Sequence, residues 1–210
     1  DTLPAASEAE RKVLHRVSAP PRVRLACQLR PETDLQITPL ILPTVRGAPG
    51  TQRTSTAGEE REIAVLFADI RSFTKLAEAK LPYDTVFLLN RYFAKMGAAV
   101  NQAGGKLDKF IGDGVMALFG IEEGPATGSR QAIDAARRMA ENLERLNESL
   151  ADDLPEPIRI GIGVHAGPCI VGEMGYGDAT GMTAIGDTVN IASRLESLTK
   201  DYRVKLIVSE

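Results

Sequence analysis

Short apolar runs and stretches of helical period alternate along this chain, and together they predict its secondary structure. Residues 63–69 are apolar at odd and even positions until Asp69, which is typical of a strand in the middle of a sheet. Two further apolar runs flank Gly112-Asp113-Gly114, and an Asp-Gly pair there predicts a β-hairpin with Asp113 at its tip. Residues 158–165 alternate Ile or Val with other residues and predict a half-buried strand. A second hairpin is predicted around the glycine-rich loop 175–181.

Apolar residues at helical spacing predict five helices, and Asp187 is predicted as the N-cap of the last one. These helices cover residues 8–17, 72–79, 82–102, a stretch that follows Pro125, and 187–197. In the helix after Pro125 one apolar face is formed by Ala132, Ala135, Ala136, Met139, Leu143, Leu146 and Leu150. A last short strand is predicted over residues 203–208. The order of elements lacks regular βαβ alternation, so the predicted fold class is α+β, a mostly antiparallel sheet with helices packed on it.

The composition is that of an ordinary globular protein, with 43% hydrophobic and 25% charged residues among 210. A net charge of -3 without a concentrated basic face argues against a nucleic-acid partner. No run is long enough to cross a membrane, and neither a signal peptide nor an initiator Met is present, so we expect a fragment whose parent's membrane attachment cannot be read. The two cysteines, Cys27 and Cys169, lie far apart and predict no disulfide, which favours a reducing, cytoplasmic compartment.

The first sixty residues differ from the rest of the chain. Residues 43–59 are rich in Pro, Gly, Ser and Thr and predict a flexible linker. Before it, residues 24–28 with the following Asp34-Leu35 and Pro39 resemble the C-terminal end of a 2Fe–2S ferredoxin, so residues 1–42 are interpreted as the remnant of such a domain. That resemblance makes Cys27 the last of four thiolate ligands, and a cluster is possible only in a longer parent. The alternative is a small, half-buried cysteine in a leftover tail.

Several polar residues could form a site, and each also has a plain structural interpretation. An aspartate in a tight turn usually only hydrogen-bonds to its own backbone, but Asp69 and Asp113 could instead point at one site and share divalent cations. Paired cations of that kind serve phosphoryl transfer. Asn190 and Arg194 lie one helical turn apart, either as a surface pair or as donors for a phosphate group. Lys109 is either an exposed strand lysine or a part of the same site.

Three segments resemble the class III adenylyl and guanylyl cyclases. They read FADIRSFT over residues 67–74, KFIGDGVM over 109–116 and TAIGDTVNIASRLE over 183–196. They stand in the family's order and at roughly its spacing, and the resemblance covers residues 60–210. It implies a ferredoxin-like, palm-type cyclase fold that is catalytic as a dimer, so residues 60–210 are interpreted as a cyclase catalytic domain.

The resemblance implies a two-metal mechanism at the first two segments. In the family, the residues that match Asp69 and Asp113 bind two Mg²⁺ or Mn²⁺ ions, and Ile70 adds a main-chain carbonyl ligand. One ion activates the ribose 3′-hydroxyl for attack on the α-phosphorus of the nucleotide, and the other stabilises the departing pyrophosphate. The resemblance makes Asn190 and Arg194 catalytic residues, which orient the ribose and neutralise the charge that develops on the α-phosphate. Phe73 and Thr74 are assigned to substrate binding.

The choice of base is assigned by the same resemblance to Lys109 and Thr183. Lysine donates a hydrogen bond, which suits adenine N1, whereas guanine N1 carries a proton. A threonine hydroxyl can accept from the adenine amino group. The resemblance therefore predicts an adenylate cyclase that converts ATP to 3′,5′-cyclic AMP and pyrophosphate. The alternatives are a guanylate cyclase and a non-catalytic cyclase-homology module that dimerises and relays a signal.

Assembly and chain length also follow from the resemblance as expectations. We expect a head-to-tail homodimer in which the aspartates of one chain complete a site with Lys109, Thr183, Asn190 and Arg194 of the other. In the family a further segment, with a lysine for the triphosphate, follows the strand that matches residues 205–208. Because this sequence ends at Glu210, we expect the cyclase domain to be truncated.

Overall fold

The computed structural model of the chain describes residues 5–16, 19–25, 28–29, 58–175 and 180–209. In chain order the elements are α1 (Glu8–Arg16), β1 (Glu59–Ile70), α2 (Phe73–Glu78), α3 (Pro82–Gln102), β2 (Lys106–Ile111), β3 (Gly114–Phe119), α4 (Pro125–Ser149), β4 (Ile160–Met174), β5 (Gly181–Ile185), α5 (Asp187–Asp201) and β6 (Leu206–Val208). Each of the five predicted helices is present, and α3 has the predicted bounds.

The strands form one sheet in the order β2-β3-β1-β4-β5, and all pairs along this path are antiparallel. The short strand β6 is the exception, because it pairs with β4 in the parallel direction. The predicted central strand is confirmed, since β1 lies between β3 and β4. Both predicted hairpins are also present, as β2–β3 and β4–β5.

Helices cover both faces of the sheet. On one face, α3 and α4 share the larger apolar core with alternate residues of β1, among them Leu66 and Ala68. On the other face, Val65 belongs to a smaller core that includes Ala192 of α5. The apolar face predicted for α4 is fully buried. The α+β fold class is thus confirmed, with a sheet between two helical layers.

Strand β4 corrects one prediction. The sequence suggested a half-buried strand that was separate from the later hairpin, but β4 is continuous over 15 residues and is buried on both faces from Ile160 to Val164. Gly161 and Gly163 make the difference, because they lie beneath α5. In the sequence, glycines that alternate with apolar residues predict a solvent-exposed face. In the structure, the space left by their missing side chains is filled by α5.

The N-cap of α5 is a second correction. Asp187 is the first residue of the helix rather than its cap, and the cap position is held by Gly186, with a φ of 151°. The cap makes no side-chain hydrogen bond. Asp187 still places a negative charge in the first helical turn, where it suits the helix dipole.

The division of the chain into domains stays a prediction. Cys27 and most of the linker predicted over residues 43–59 lie outside the described residues. Within the described part, α1 is joined to the segment that follows it, because Arg24 binds both carboxylate oxygens of the buried Glu10. Arg16 of α1 also contacts Asp84 at 2.7 Å, which links α1 to the start of α3.

Candidate active site

The two aspartates predicted to bind metal lie side by side. Asp69 is the penultimate residue of β1, and Asp113 lies in the turn between β2 and β3. Gly112 takes a φ of 63° in this turn, a conformation that favours glycine. Because β3 pairs with β1, the turn delivers its carboxyl group to the end of the central strand. The two side chains lie close enough for the Asp69 carboxyl group to act on that of Asp113.

This carboxyl pair fits a divalent cation. Burial, the hydrogen bond with Asp69 and the charge of Asp69 raise the pKa of Asp113 from 3.8 to about 7. The amide of Ile70 donates to Asp69 Oδ1 at 3.0 Å. Carboxylates that repel each other at close range are the oxygen ligands that a hard cation prefers. No third Asp, Glu, His or Cys joins them in the described part of the chain, and the Ile70 carbonyl stays a predicted ligand.

A cleft of about 1020 Å³ opens beside Asp69 and Asp113. Its walls include Phe73 and Thr74 of α2, which the resemblance to cyclases assigns to the substrate. Cationic side chains also line it, namely Arg71, Arg159, Lys200, Arg203 and Lys205. Cations next to a carboxyl pair that fits a divalent ion suit an anionic, phosphate-bearing substrate.

Lys109 and Thr183 are brought together although 74 residues separate them. Lys109 lies on β2 and Thr183 on β5, at the two ends of the sheet path, and Lys109 Nζ donates to Thr183 Oγ1 at 3.0 Å. The sheet is therefore nearly closed. The Lys109 side chain is 48% exposed, so its remaining donors can reach a ligand. Neither residue lines the cleft of the aspartates.

Asn190 and Arg194 lie on the exposed side of α5. The opposite side of this helix packs on β4, where Gly163 lets the main chain of Ala192 and Glu196 approach closely. Neither Asn190 nor Arg194 lines the cleft of the aspartates. Within one chain, the predicted site residues thus form three groups: the carboxyl pair with α2, the Lys109–Thr183 pair, and the exposed face of α5.

A family model described as the adenylate and guanylate cyclase catalytic domain matches residues 56–209. The chain belongs to this family. The adenylate cyclase of Anabaena cylindrica is 39% identical over 159 residues, which are 73% of this chain and 30% of that protein. Adenylate cyclase 1 of Rhizobium meliloti is 34% identical over 154 residues, 73% of this chain and 23% of that protein. The chain thus spans less than a third of either relative.

Solved cyclase structures share the fold. The guanylyl cyclase Cya2 is 33% identical with a TM-score of 0.63, and the match covers 67% of this chain and 72% of that one. The adenylyl cyclase CyaB from P. aeruginosa is 34% identical with the same TM-score, over 66% of this chain and 72% of that one. Class III cyclases generally depend on divalent metal ions, in line with the carboxyl pair. Among the described residues of this cyclase domain, no helix combines the length and apolarity needed to cross a bilayer.

An ion pair in the cyclase domain was not predicted. Arg71 follows β1 directly, and its Nη1 lies 3.3 Å from Glu196 Oε1 on α5. Burial raises the pKa of Glu196, and the charge of Arg71 opposes that shift. The pair ties the end of the strand with Asp69 to the helix with Arg194. Both partners belong to the cyclase motifs, but a spacing of 125 residues gave no signal that they touch.

Proposed function

We propose that this cyclase domain is the catalytic part of an adenylate cyclase that converts ATP to 3′,5′-cyclic AMP and pyrophosphate in intracellular signalling. The observation that carries the proposal is the contact between Lys109 and Thr183, because it holds a donor and a hydroxyl at one point of the sheet. The relatives from Anabaena cylindrica and Rhizobium meliloti, both named adenylate cyclase, support it.

The pair fits adenine better than guanine. Adenine offers an acceptor at N1 and a donor at its 6-amino group, whereas guanine offers a donor at N1 and an acceptor at O6. A lysine ammonium group can only donate, so Lys109 suits adenine N1, and Thr183 suits the amino group as an acceptor. Overall likeness does not separate the two nucleotides, because the guanylyl cyclase Cya2 and the adenylyl cyclase CyaB have equal TM-scores. The choice of substrate therefore rests on these two side chains.

Asp69 and Asp113 would hold two Mg²⁺ or Mn²⁺ ions, with Ile70 as a main-chain ligand. When bound, such ions activate the 3′-hydroxyl and neutralise charge on the triphosphate. In the reaction the 3′-oxygen forms a bond to the α-phosphorus while the bond to pyrophosphate breaks. Arg194 would neutralise the charge that develops on the α-phosphate, and Asn190 would orient the ribose.

Phe73 and Thr74 would bind the substrate beside the carboxyl pair, since both line the cleft next to Asp69 and Asp113. The cationic residues of the cleft would meet the negative charge of the phosphate chain. This arrangement speaks against a non-catalytic cyclase-homology module, because both aspartates, Asn190 and Arg194 are all present.

We further propose a homodimer with shared sites. The carboxyl pair and the Lys109–Thr183 pair belong to one nucleotide site in this mechanism, but in one chain they do not line a common cleft. A twofold arrangement would let the carboxyl pair of one chain face the other three groups of its partner. Exposed apolar side chains near the sheet ends offer contact area for it, namely Phe110, Ile111, Ile170 and Ile185.

Two further parts of the proposal concern the parent protein. A 2Fe–2S cluster would require thiolates beyond Cys27 and Cys169, the two cysteines of this sequence, and thus a longer chain. A cytoplasmic location agrees with ATP as the substrate and with Cys169, which is a free, buried thiol.

The first test is formation of cyclic nucleotide from ATP or GTP with Mn²⁺ or Mg²⁺. We expect cyclic AMP, and no cyclic AMP under any of these conditions would contradict the proposal.

The second test mixes Asp69→Ala with Arg194→Ala, each inactive alone. One site of each mixed dimer carries both changes and the other none, so an equal mixture should regain about a quarter of wild-type activity.

A matched control is available for the mixing test. Asp69→Ala and Asp113→Ala alter the same half of the site, so their mixed dimers contain no intact site and should stay inactive. Differential tags would show that mixed dimers form in both cases. If tagged dimers of Asp69→Ala and Arg194→Ala form but remain inactive, the sites are not shared.

A further inference from the structure

Asp108 lies next to Lys109 on β2, where the pairing with β3 is irregular. Leu107 pairs with Ala117 and Lys109 with Met116, so Asp108 is the extra residue of a β-bulge. Successive residues of a regular strand point to opposite faces, but a bulge redirects a side chain. Because of this bulge, both Asp108 and Lys109 reach the same residue, Thr183, on the far edge of the sheet.

The side chains of Asp108, Lys109 and Thr183 form a closed set of contacts. Thr183 Oγ1 donates to Asp108 Oδ2 at 2.6 Å, and Lys109 Nζ donates to the same hydroxyl oxygen at 3.0 Å. Lys109 Nζ lies 3.6 Å from Asp108 Oδ2. The Asp108 side chain is only 3% exposed, so its carboxylate has little access to water and depends on these partners.

The hydrogen atoms of this set can be placed by elimination. An ionised carboxylate can only accept and an ammonium group can only donate. The single hydroxyl hydrogen of Thr183 therefore points at Asp108, and one of its two lone pairs accepts from Lys109. What remains for a ligand is the second lone pair of Thr183 and the free donors of Lys109.

We propose that Asp108 is a positioning residue that fixes Thr183 as an acceptor and thereby makes the site select adenine. This inference rests on the proposed function. A threonine hydroxyl alone could rotate and donate to guanine O6, so it would discriminate poorly between the two bases. With its hydrogen held by Asp108, it accepts from the adenine amino group and leaves guanine O6 facing another acceptor. Such a mismatch discriminates more strongly than a missing contact.

The test compares kcat/KM for ATP and for GTP in the wild type and in Asp108→Asn. The asparagine keeps the size of the side chain but can also donate, which frees the Thr183 hydroxyl to turn. We expect the ratio of kcat/KM for ATP to that for GTP to fall by about two- to tenfold, the range of one hydrogen bond. Because both substrates are measured on one preparation, a partly unfolded variant does not disturb the ratio.

Two controls separate positioning from a general structural role. Asp134→Asn makes the same change at a carboxylate that pairs with Arg137 and Arg138 on α4, and it should leave the ratio unchanged. In a Thr183→Val background, Asp108→Asn should have no further effect on the ratio, since Asp108 acts through that hydroxyl.

Each outcome bears on a different claim. If the wild type makes no cyclic AMP, the proposed function fails. If it prefers ATP and Asp108→Asn keeps that preference, only the role of Asp108 fails. Complete loss of activity with both nucleotides would also overturn the role, because a residue that sets base choice should leave the chemistry working. The role of Asp108 would also fail if Asp108→Asn changed the ratio of kcat/KM values equally in the wild type and in the Thr183→Val background.

Discussion

The position of α5 should depend on the absence of a side chain at Gly163. A methyl group there would lie 2.2 Å from the main-chain nitrogen of Glu196 and 2.4 Å from the carbonyl oxygen of Ala192. Both atoms belong to the backbone of a helix, so they cannot rotate away. For Gly163→Ala, α5 would have to move by about 0.8 Å before the closest contact reaches 3.0 Å.

That displacement has two expected consequences. Overpacking of this kind destabilises by about 1–3 kcal/mol, which for a domain of this size lowers Tm by roughly 2–12 °C. The helix also carries Asn190 and Arg194, which the proposed function places at the nucleotide, and a shift near 1 Å in a catalytic group can reduce the rate by about 100-fold. We therefore expect kcat of Gly163→Ala to fall by about 10- to 100-fold in a cyclic AMP assay well below its Tm.

Gly181→Ala is the matched control for Gly163→Ala. It makes the same change at the start of β5 in the same sheet, where an added methyl group would meet no atom of the described residues within 4 Å. We expect its Tm and kcat to stay close to those of the wild type. If the two variants behaved alike, the close approach of α5 to β4 would not be what positions Asn190 and Arg194.

The carboxyl pair and the N-terminal ion pair give two further predictions. Asp113→Ala should abolish turnover with Mg²⁺ or Mn²⁺ and remove the rise in Tm that these ions cause. Its metal-free Tm should not fall, because the substitution removes one of two carboxyl groups that repel each other. A metal-free Tm well below that of the wild type would show a structural role instead. Arg24 holds the pKa of Glu10 below 4.5, so the stability that Glu10 contributes is present above about pH 4.5 and is lost as the pH falls through its lower folded pKa. In urea denaturation, Glu10→Gln should be less stable than the wild type at pH 7, and the difference should shrink towards pH 3; a difference that grows in acid would contradict this.

Local patterns in the sequence predicted most of the elements. The seven apolar residues of α4 recur at helical spacing, and all of them are buried. The bounds of α3 follow from Pro82 at its start and from the glycines that come after it. The closeness of Asp69 and Asp113 could be predicted as well. Each follows the end of an apolar run, which places Asp69 at the end of the central strand and Asp113 at the tip of a hairpin.

Contacts between distant elements could not be predicted in the same way. A glycine gives no sign of whether water or a helix lies above it, so the sequence predicts an exposed face of β4 at Gly161 and Gly163. The bulge at Asp108 depends on the register between β2 and β3, which one strand alone does not specify. For the same reason, Asp108 was not recognised as a partner of Thr183.

The relation between Asp69 and α5 within one chain is set largely by the backbone. Asp69 pairs with Gly161 in the β1–β4 ladder, and two residues further along β4 the backbone of α5 rests on Gly163. Main-chain contacts leave less freedom than side-chain rotamers, so the backbone positions of Asp69 and Arg194 are nearly fixed relative to each other within a chain. The ion pair of Arg71 and Glu196 spans the same gap. In the proposed dimer, the carboxyl pair of one rigid protomer faces Arg194 of the other, and only the docking of the two protomers aligns them. A small shift of α5 should therefore lower kcat more than it lowers the stability of the fold.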